Sequence, residues 1–183
     1  MARPQVVSFV GGEDGPWTVT ANTSIIGSGL AAAPRLQIVE SSPAPPKANT
    51  GWVLRGVTSN ERYVERREQT ALAARQRPLG RPEATRGALI PIRKSDTWWA
   101  LAQDERRAVL EDRSHHVAIG LEYLPAVARR LHHGRDLGEE FDFLTWFEFA
   151  PADTDAFEDL VGRLRETEEW SYVEREVDIR LSR

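Results

Sequence analysis

The chain contains no cysteine. Disulfides, thiolate ligation of a metal and covalent cofactor attachment through a C-x-x-C-H motif are therefore excluded. Methionine is confined to Met1, so the two most readily oxidised side chains are missing from the body of the protein. That suits contact with a strong oxidant, although composition bias is the blander account of the same feature. Lysine occurs only at Lys47 and Lys94, which leaves arginine as nearly the whole of the basic complement. With a net charge of −4 there is no basic excess of the kind a general nucleic-acid binder carries. No apolar run approaches the roughly 20 residues of a membrane span, and the apolar part of MARPQVVSFVGG is too short for a signal peptide. The expected compartment is the cytoplasm, with no membrane partner.

At 183 residues and 40% hydrophobic content, the chain can bury one substantial core. Residues 1–50 read as a short β-rich portion followed by a proline-rich connector, SSPAPPKANTG, and residues 51–183 read as the main domain of one compact unit. Within the first part, residues 5–10, 16–21 and Arg35 to Glu40 are short β-like runs. The turn GGEDG lacks the Lys-Ser/Thr pair and following helix of a phosphate loop.

From Trp52 the pattern is clearer. A strand through Val53, Arg55 and Val57 leads to a helix from about Glu61 to Gln76, and a strand follows through Leu89, Pro91 and Ile92. Asp96, a good N-cap, opens a helix expected to run to His116, with Trp98 and His116 sharing one stripe about five turns apart. Gly120 and Pro125 interrupt that pattern. Val127, Arg129 and Leu131 then fall on one face of a strand, so His116 and Arg129 can converge on one pocket instead of lying about 20 Å apart on a continuous helix. Phe141, Phe143, Thr145, Phe147 and Phe149 alternate with Leu144 and Trp146, so both faces of that strand need cover. A helix opened by Asp153 carries Phe157, Leu160, Val161 and Leu164 at i, i+3, i+4 and i+7. The last strand sets Val177, Ile179 and Leu181 against Asp178 and Arg180. From Leu89 onward this is α+β with the order βαββαβ, a ferredoxin-like unit. No internal repeat is legible in the residues.

Taken alone, His116 on an apolar face reads as a core histidine, Arg129 as a strand-edge arginine, and Glu166 to Trp170 as a solvated helix end. The paired histidines His115, His116, His132 and His133 could also supply zinc or copper ligands, but neighbours on a strand point to opposite faces, so each pair gives one ligand to a side.

The block His116-x-x-x-Gly120, with Arg129 thirteen positions past the histidine and then Asp142-Phe143-Leu144-Thr145-Trp146-Phe147-Glu148, resembles the chlorite dismutase family of haem b enzymes over roughly residues 52–183. The resemblance implies a dimeric α+β barrel of two ferredoxin-like halves, one of them truncated here. It also implies a noncovalent haem b and conversion of the small anion chlorite to chloride and dioxygen. By the family's pattern His116 is the axial ligand of the haem iron, and Glu169 takes its second ring N–H, with Glu168 the near miss. Arg129 is the distal cation and Gln76 a distal amide reaching toward it. Lys94, Trp98, Asn60 and Tyr63 are the propionate contacts, and Trp99 is the second tryptophan near the haem. Relatives that decarboxylate coproporphyrin haem carry Tyr at the position of the cofactor contact Ile90 and lack the arginine, so both features point away from that activity. The short chain resembles the compact branch, which implies a homodimer. A noncatalytic haem carrier or sensor, a haem peroxidase or coprohaem-processing enzyme, and a cofactor-free αβ-barrel monooxygenase remain the alternatives on the same fold.

Overall fold

Alternation of apolar and polar side chains builds the strands first, and the helices then cover one face of what they form. The computed structural model describes residues 4–40, 50–58 and 62–183. Its strands are β1 (Val6–Gly12), β2 (Trp17–Ile26), β3 (Arg35–Glu40), β4 (Thr50–Thr58), β5 (Arg86–Lys94), β6 (Ala128–His133), β7 (Phe143–Phe149) and β8 (Val173–Ser182). Its α-helices are α1 (Arg66–Arg75), α2 (Asp96–Ala100), α3 (Gln103–Arg107), α4 (His116–Glu122) and α5 (Thr154–Arg165).

The strands close into a barrel in the order β1-β3-β2-β8-β5-β7-β6-β4, with antiparallel pairings. Closure leaves no sheet edge to attract another chain. The second half of the barrel runs β8-β5-β7-β6, with α2, α3 and α4 on the connection from β5 to β6 and α5 on that from β7 to β8. The first half repeats the same neighbour order, β4-β1-β3-β2. All four of its strands are present, and its shortening falls on the connections: β1 reaches β2 through residues 13–16, with no helix between them. The internal repeat that the residues hide is therefore a repeat of strand order.

The two faces of the barrel wall carry different cores. Phe9, Trp17, Leu36, Leu54, Leu144, Trp146 and Ile179 fill the interior from strands all around the ring. The outer face of β5, β6 and β7 presents Ile90, Ile92, Phe147 and Phe149 to Phe157, Leu160 and Val161 of α5. Phe149 and Phe157 stack with centroids 4.5 Å apart. The i, i+3, i+4, i+7 stripe of α5 is buried throughout, as its periodicity requires.

Three expectations change. The segment from Asp96 to His116 is not one helix but α2, α3, a π-helical turn (Ala108–Arg113) and the start of α4. Ser95, not Asp96, is its N-cap. Side-chain spacing is blind to the breaks, which are made by backbone groups finding other partners. Arg106 crosses the end of α2, its Nε and Nη2 donating to the Trp98 and Trp99 carbonyls at 3.1 and 2.7 Å, which satisfies acceptors a continuing helix would use. Glu111 then accepts from the amides of Val117 and Ala118 at 2.6 and 3.3 Å and restarts the chain as α4, after His115 has turned through a left-handed φ of 53°. The helix expected from Glu61 begins at Arg66, because Tyr63 has a φ of 64° and Glu65 closes a capping box with Glu68. Phe141 lies outside β7 and packs into the barrel interior, not with Phe143 and Thr145, since strand alternation applies only within the strand. Among the described residues no helix is long and apolar enough to cross a membrane.

Candidate active site

Between the outer face of the second half-sheet and the helices lies a cavity of about 660 Å³. The sheet lines it with Ile90, Ile92, Leu131, Phe143, Thr145 and Phe147, all on the outward side of their strands. Leu72 of α1, Gln76 just past its end, Trp98 of α2, His116 of α4 and Leu164 of α5 also line it. The alternation of β6 sends Arg129, Leu131 and His133 to this cavity, while His132 turns into the barrel against Phe9 and Trp146.

His116 is the first residue of α4 and lines the cavity. Its Nδ1 meets Oε2 of Glu169 at 2.6 Å, and Oε1 of the same carboxylate takes the Lys94 ammonium at 2.8 Å. Glu169 is 4% exposed, Lys94 also 4%. The Ser114 hydroxyl accepts from the Glu169 amide at 2.9 Å, which ties the carboxylate's own backbone to the start of α4. Burial works to raise the Glu169 pKa, but the adjoining His116 imidazole and Lys94 ammonium outweigh it and hold the group at about 2. An ionised carboxylate only accepts, so Nδ1 carries the proton and Nε2 is the nitrogen left for whatever occupies the cavity. A buried ion pair of this kind adds little net stability, because desolvation of both charges offsets their attraction. Its value lies in fixing one tautomer and one ring orientation. Glu168, one residue away, lies at the surface and pairs with Arg113 at 3.1 Å.

Arg129 reaches the same cavity from β6. Its Nη1 donates to the Gly120 carbonyl at 3.1 Å, and its own carbonyl accepts from Gln76 Nε2 at 3.0 Å. Gln76 thus holds the backbone of Arg129.

Trp98 is almost wholly buried against Tyr63 and Tyr172, with the Lys94 ammonium 4.7 Å from its ring centre. The Tyr63 hydroxyl accepts from Arg106 at 3.0 Å. Trp99 is one layer further out. It stacks on Phe143, its Nε1 donates to Asp142 at 3.2 Å, and the guanidinium groups of Arg106 and Arg135 lie 5.0 and 3.9 Å from its ring centre. Asn60 lies outside the described residues.

Two contributors carried no advance signal: Ser114 and Arg106 act through contacts 55 and 43 residues distant in sequence, which no local pattern encodes. Asp142 stands in the block that carries the resemblance, but its bond to Trp99, 43 residues away, is not encoded locally either. His133 was read only as a member of a histidine pair. It is 3% exposed, both of its ring nitrogens lack a hydrogen-bond partner among the described residues, and burial, followed by the nearby Arg62 charge, lowers its pKa to about 4. Trp98 Nε1 is likewise buried without an acceptor. No cluster of three His, Cys, Asp or Glu side chains among the described residues is arranged to hold a bare metal ion.

The structure is an antiparallel α+β barrel with a carboxylate-braced imidazole on the wall of a large, mainly apolar cavity. A family model described as chlorite dismutase matches residues 42–183, and the chain belongs to that family. It is 59% identical to the dimeric chlorite dismutase of Nitrobacter winogradskyi, with a TM-score of 0.90 over 97% of this chain and 99% of that one. Chlorite dismutase from Ideonella dechloratans is 33% identical over 84 residues, which is 46% of this chain but only 27% of that protein's length. The fold is also that of the chlorite dismutase of Candidatus Nitrospira defluvii solved with imidazole, at 19% identity, a TM-score of 0.71, and 98% and 91% coverage.

Proposed function

We propose that this protein is a haem b chlorite O2-lyase that converts chlorite to chloride and dioxygen. The observation that carries the reading is the His116–Glu169 pair, with Nδ1 committed and Nε2 left for the cavity that Arg129 also lines. The walls fit a porphyrin. At about 660 Å³ the cavity is of the size that takes a large planar ligand, and Ile90, Leu131, Phe147 and Leu164 offer apolar cover. Trp98 and His133 also line it, and their buried ring nitrogens have no hydrogen-bond partner among the described residues.

When bound, the haem supplies the redox-active iron at which chlorite is split and the O–O bond is made. His116 would hold that iron through Nε2. Glu169 keeps the imidazole in one tautomer and raises its basicity, and Lys94 moderates that effect by sharing the carboxylate. Arg129 cannot lose its proton at working pH, so it attracts the chlorite anion and retains the chlorine-oxygen anion left after the first oxygen transfer. The overall reaction is redox-neutral and needs no external reductant. Trp98, Tyr63 and Asn60 are assigned to the propionate end, Ile90 to the porphyrin face, Gln76 to bracing Arg129, and Trp99 to the layer behind Phe143. We further read the protein as a homodimer, in line with the dimeric Nitrobacter protein.

One optical spectrum after haem reconstitution and one oxygen-electrode trace after adding chlorite test the reading. A Soret band with one dioxygen released per chlorite is expected. Haem uptake without oxygen release would leave a carrier or sensor, and a protein that stays colourless would remove the haem altogether.

A further inference from the structure

Gly120 lies within α4, one turn past His116, and is buried. Glycine inside a helix is about 1 kcal/mol less favourable than alanine. Its conformational freedom is not what the position requires, because Gly120 is absent from the glycines with positive φ. What the position requires is room. A Cβ built there would fall well inside 3.0 Å of Nη1, Nη2 and Cζ of Arg129. The guanidinium rests directly on the bare Cα and donates to the Gly120 carbonyl at 3.1 Å. That carbonyl is available because the amide of Leu124, four residues on, bonds to Leu121 instead. Gln76 holds the backbone carbonyl of Arg129, and Gly120 meets its charged end.

We infer that Gly120 is a positioning residue for Arg129: the missing side chain makes the notch that fixes where the guanidinium stands in the cavity. The inference rests on the haem reading of that cavity. A methyl at position 120 would meet the flexible end of Arg129 first and push it off its acceptor, so the charge loses its fixed place while a side chain, the cheaper element to move, takes up the change. An arginine released from that hydrogen bond must give up more rotamer freedom when it meets an anion, and binding weakens.

The test is Gly120→Ala on the haem-loaded protein, alone and combined with Arg129→Ala, titrated with fluoride in the ferric state and followed by absorption. Helix propensity predicts a melting temperature unchanged or a few degrees higher. The fluoride dissociation constant should rise about three- to tenfold in the single variant, and the same glycine change should move it less than twofold where Arg129 is already absent. In steady state the chlorite KM should rise by a similar factor, with a smaller fall in kcat. A fluoride constant within twofold of wild type, a tighter one, or equal shifts in both backgrounds would overturn the inference while leaving the haem reading intact. A wild-type protein that takes up no haem would defeat both.

Discussion

His132 and His133 are neighbours on β6, yet they belong to different worlds. His132 is sealed inside the barrel, edge-on to Phe9 and bonded through Nδ1 to the Leu144 carbonyl at 3.1 Å. His133 faces the helices, across the cavity that also receives His116 and Arg129, and its nitrogens have no partner among the described residues. A strand's period of two is the whole cause of the difference. The inward face fills the barrel, and the outward face both packs against α5 and lines the candidate site, although both are drawn from the same strands.

That division can be tested by breaking each side in turn. The largest effect is expected from His116→Ala, which should abolish stable haem loading and, by leaving the buried Glu169 carboxylate to Lys94 alone, lower apoprotein stability by about 1–3 kcal/mol in equilibrium unfolding. An unchanged Soret band would discard the ligand assignment. Next, Trp146→Ala opens the sealed interior, where the ring packs 5.1 Å from Trp17 and its Nε1 donates to Glu148 at 2.9 Å. A loss of about 3–5 kcal/mol in urea unfolding is expected, with haem affinity at low temperature little changed. Wild-type-like stability would mean that the interior is not the load carrier proposed here.

Acid should weaken both faces. Burial holds His132 and His133 at about 4, below their ordinary value, so the unfolded chain binds protons that the native one refuses. Stability contributed by each neutral histidine is complete above pH 6.5 and declines as pH falls toward 4. For the sealed His132 the decline by pH 4.5 is about 2–3 kcal/mol. Unfolding curves at pH 7 and 4.5 for wild type and His132→Gln measure it, and equal slopes would contradict the neutral, buried assignment. The smallest effect on the fold is expected from Arg129→Ala: less than about 1 kcal/mol in stability and intact haem, yet lower oxygen yield and faster bleaching. Unaltered yield and lifetime would remove the retention role.

Much of the second half-sheet was legible because its signals are local. Phe143, Thr145 and Phe147 against Leu144 and Trp146, the α5 stripe, and Val177, Ile179 and Leu181 all lie where their periods put them. The site was legible only in parts. His116, Glu169 and Arg129 were marked by resemblance. The engagement of Lys94 with Glu169 across 75 positions, the Arg106 clasp on the end of α2 and the notch at Gly120 were not, since each depends on a partner far along the chain. The breaks within residues 96–116 were missed because a side-chain period records which face a residue occupies and not whether the backbone between is continuous.

The sequence alone determined the composition limits, the strands and helices with strong periodicity, and the side chains able to ligate iron or meet an anion, because propensity and alternation act over a few residues. Only the tertiary structure decided that the N-terminal strands complete a closed ring, that Lys94 shares the Glu169 carboxylate with His116, and that the Arg129 guanidinium rests on Gly120. Those outcomes depend on contacts between distant segments, whose free energy appears only once the whole wall has assembled.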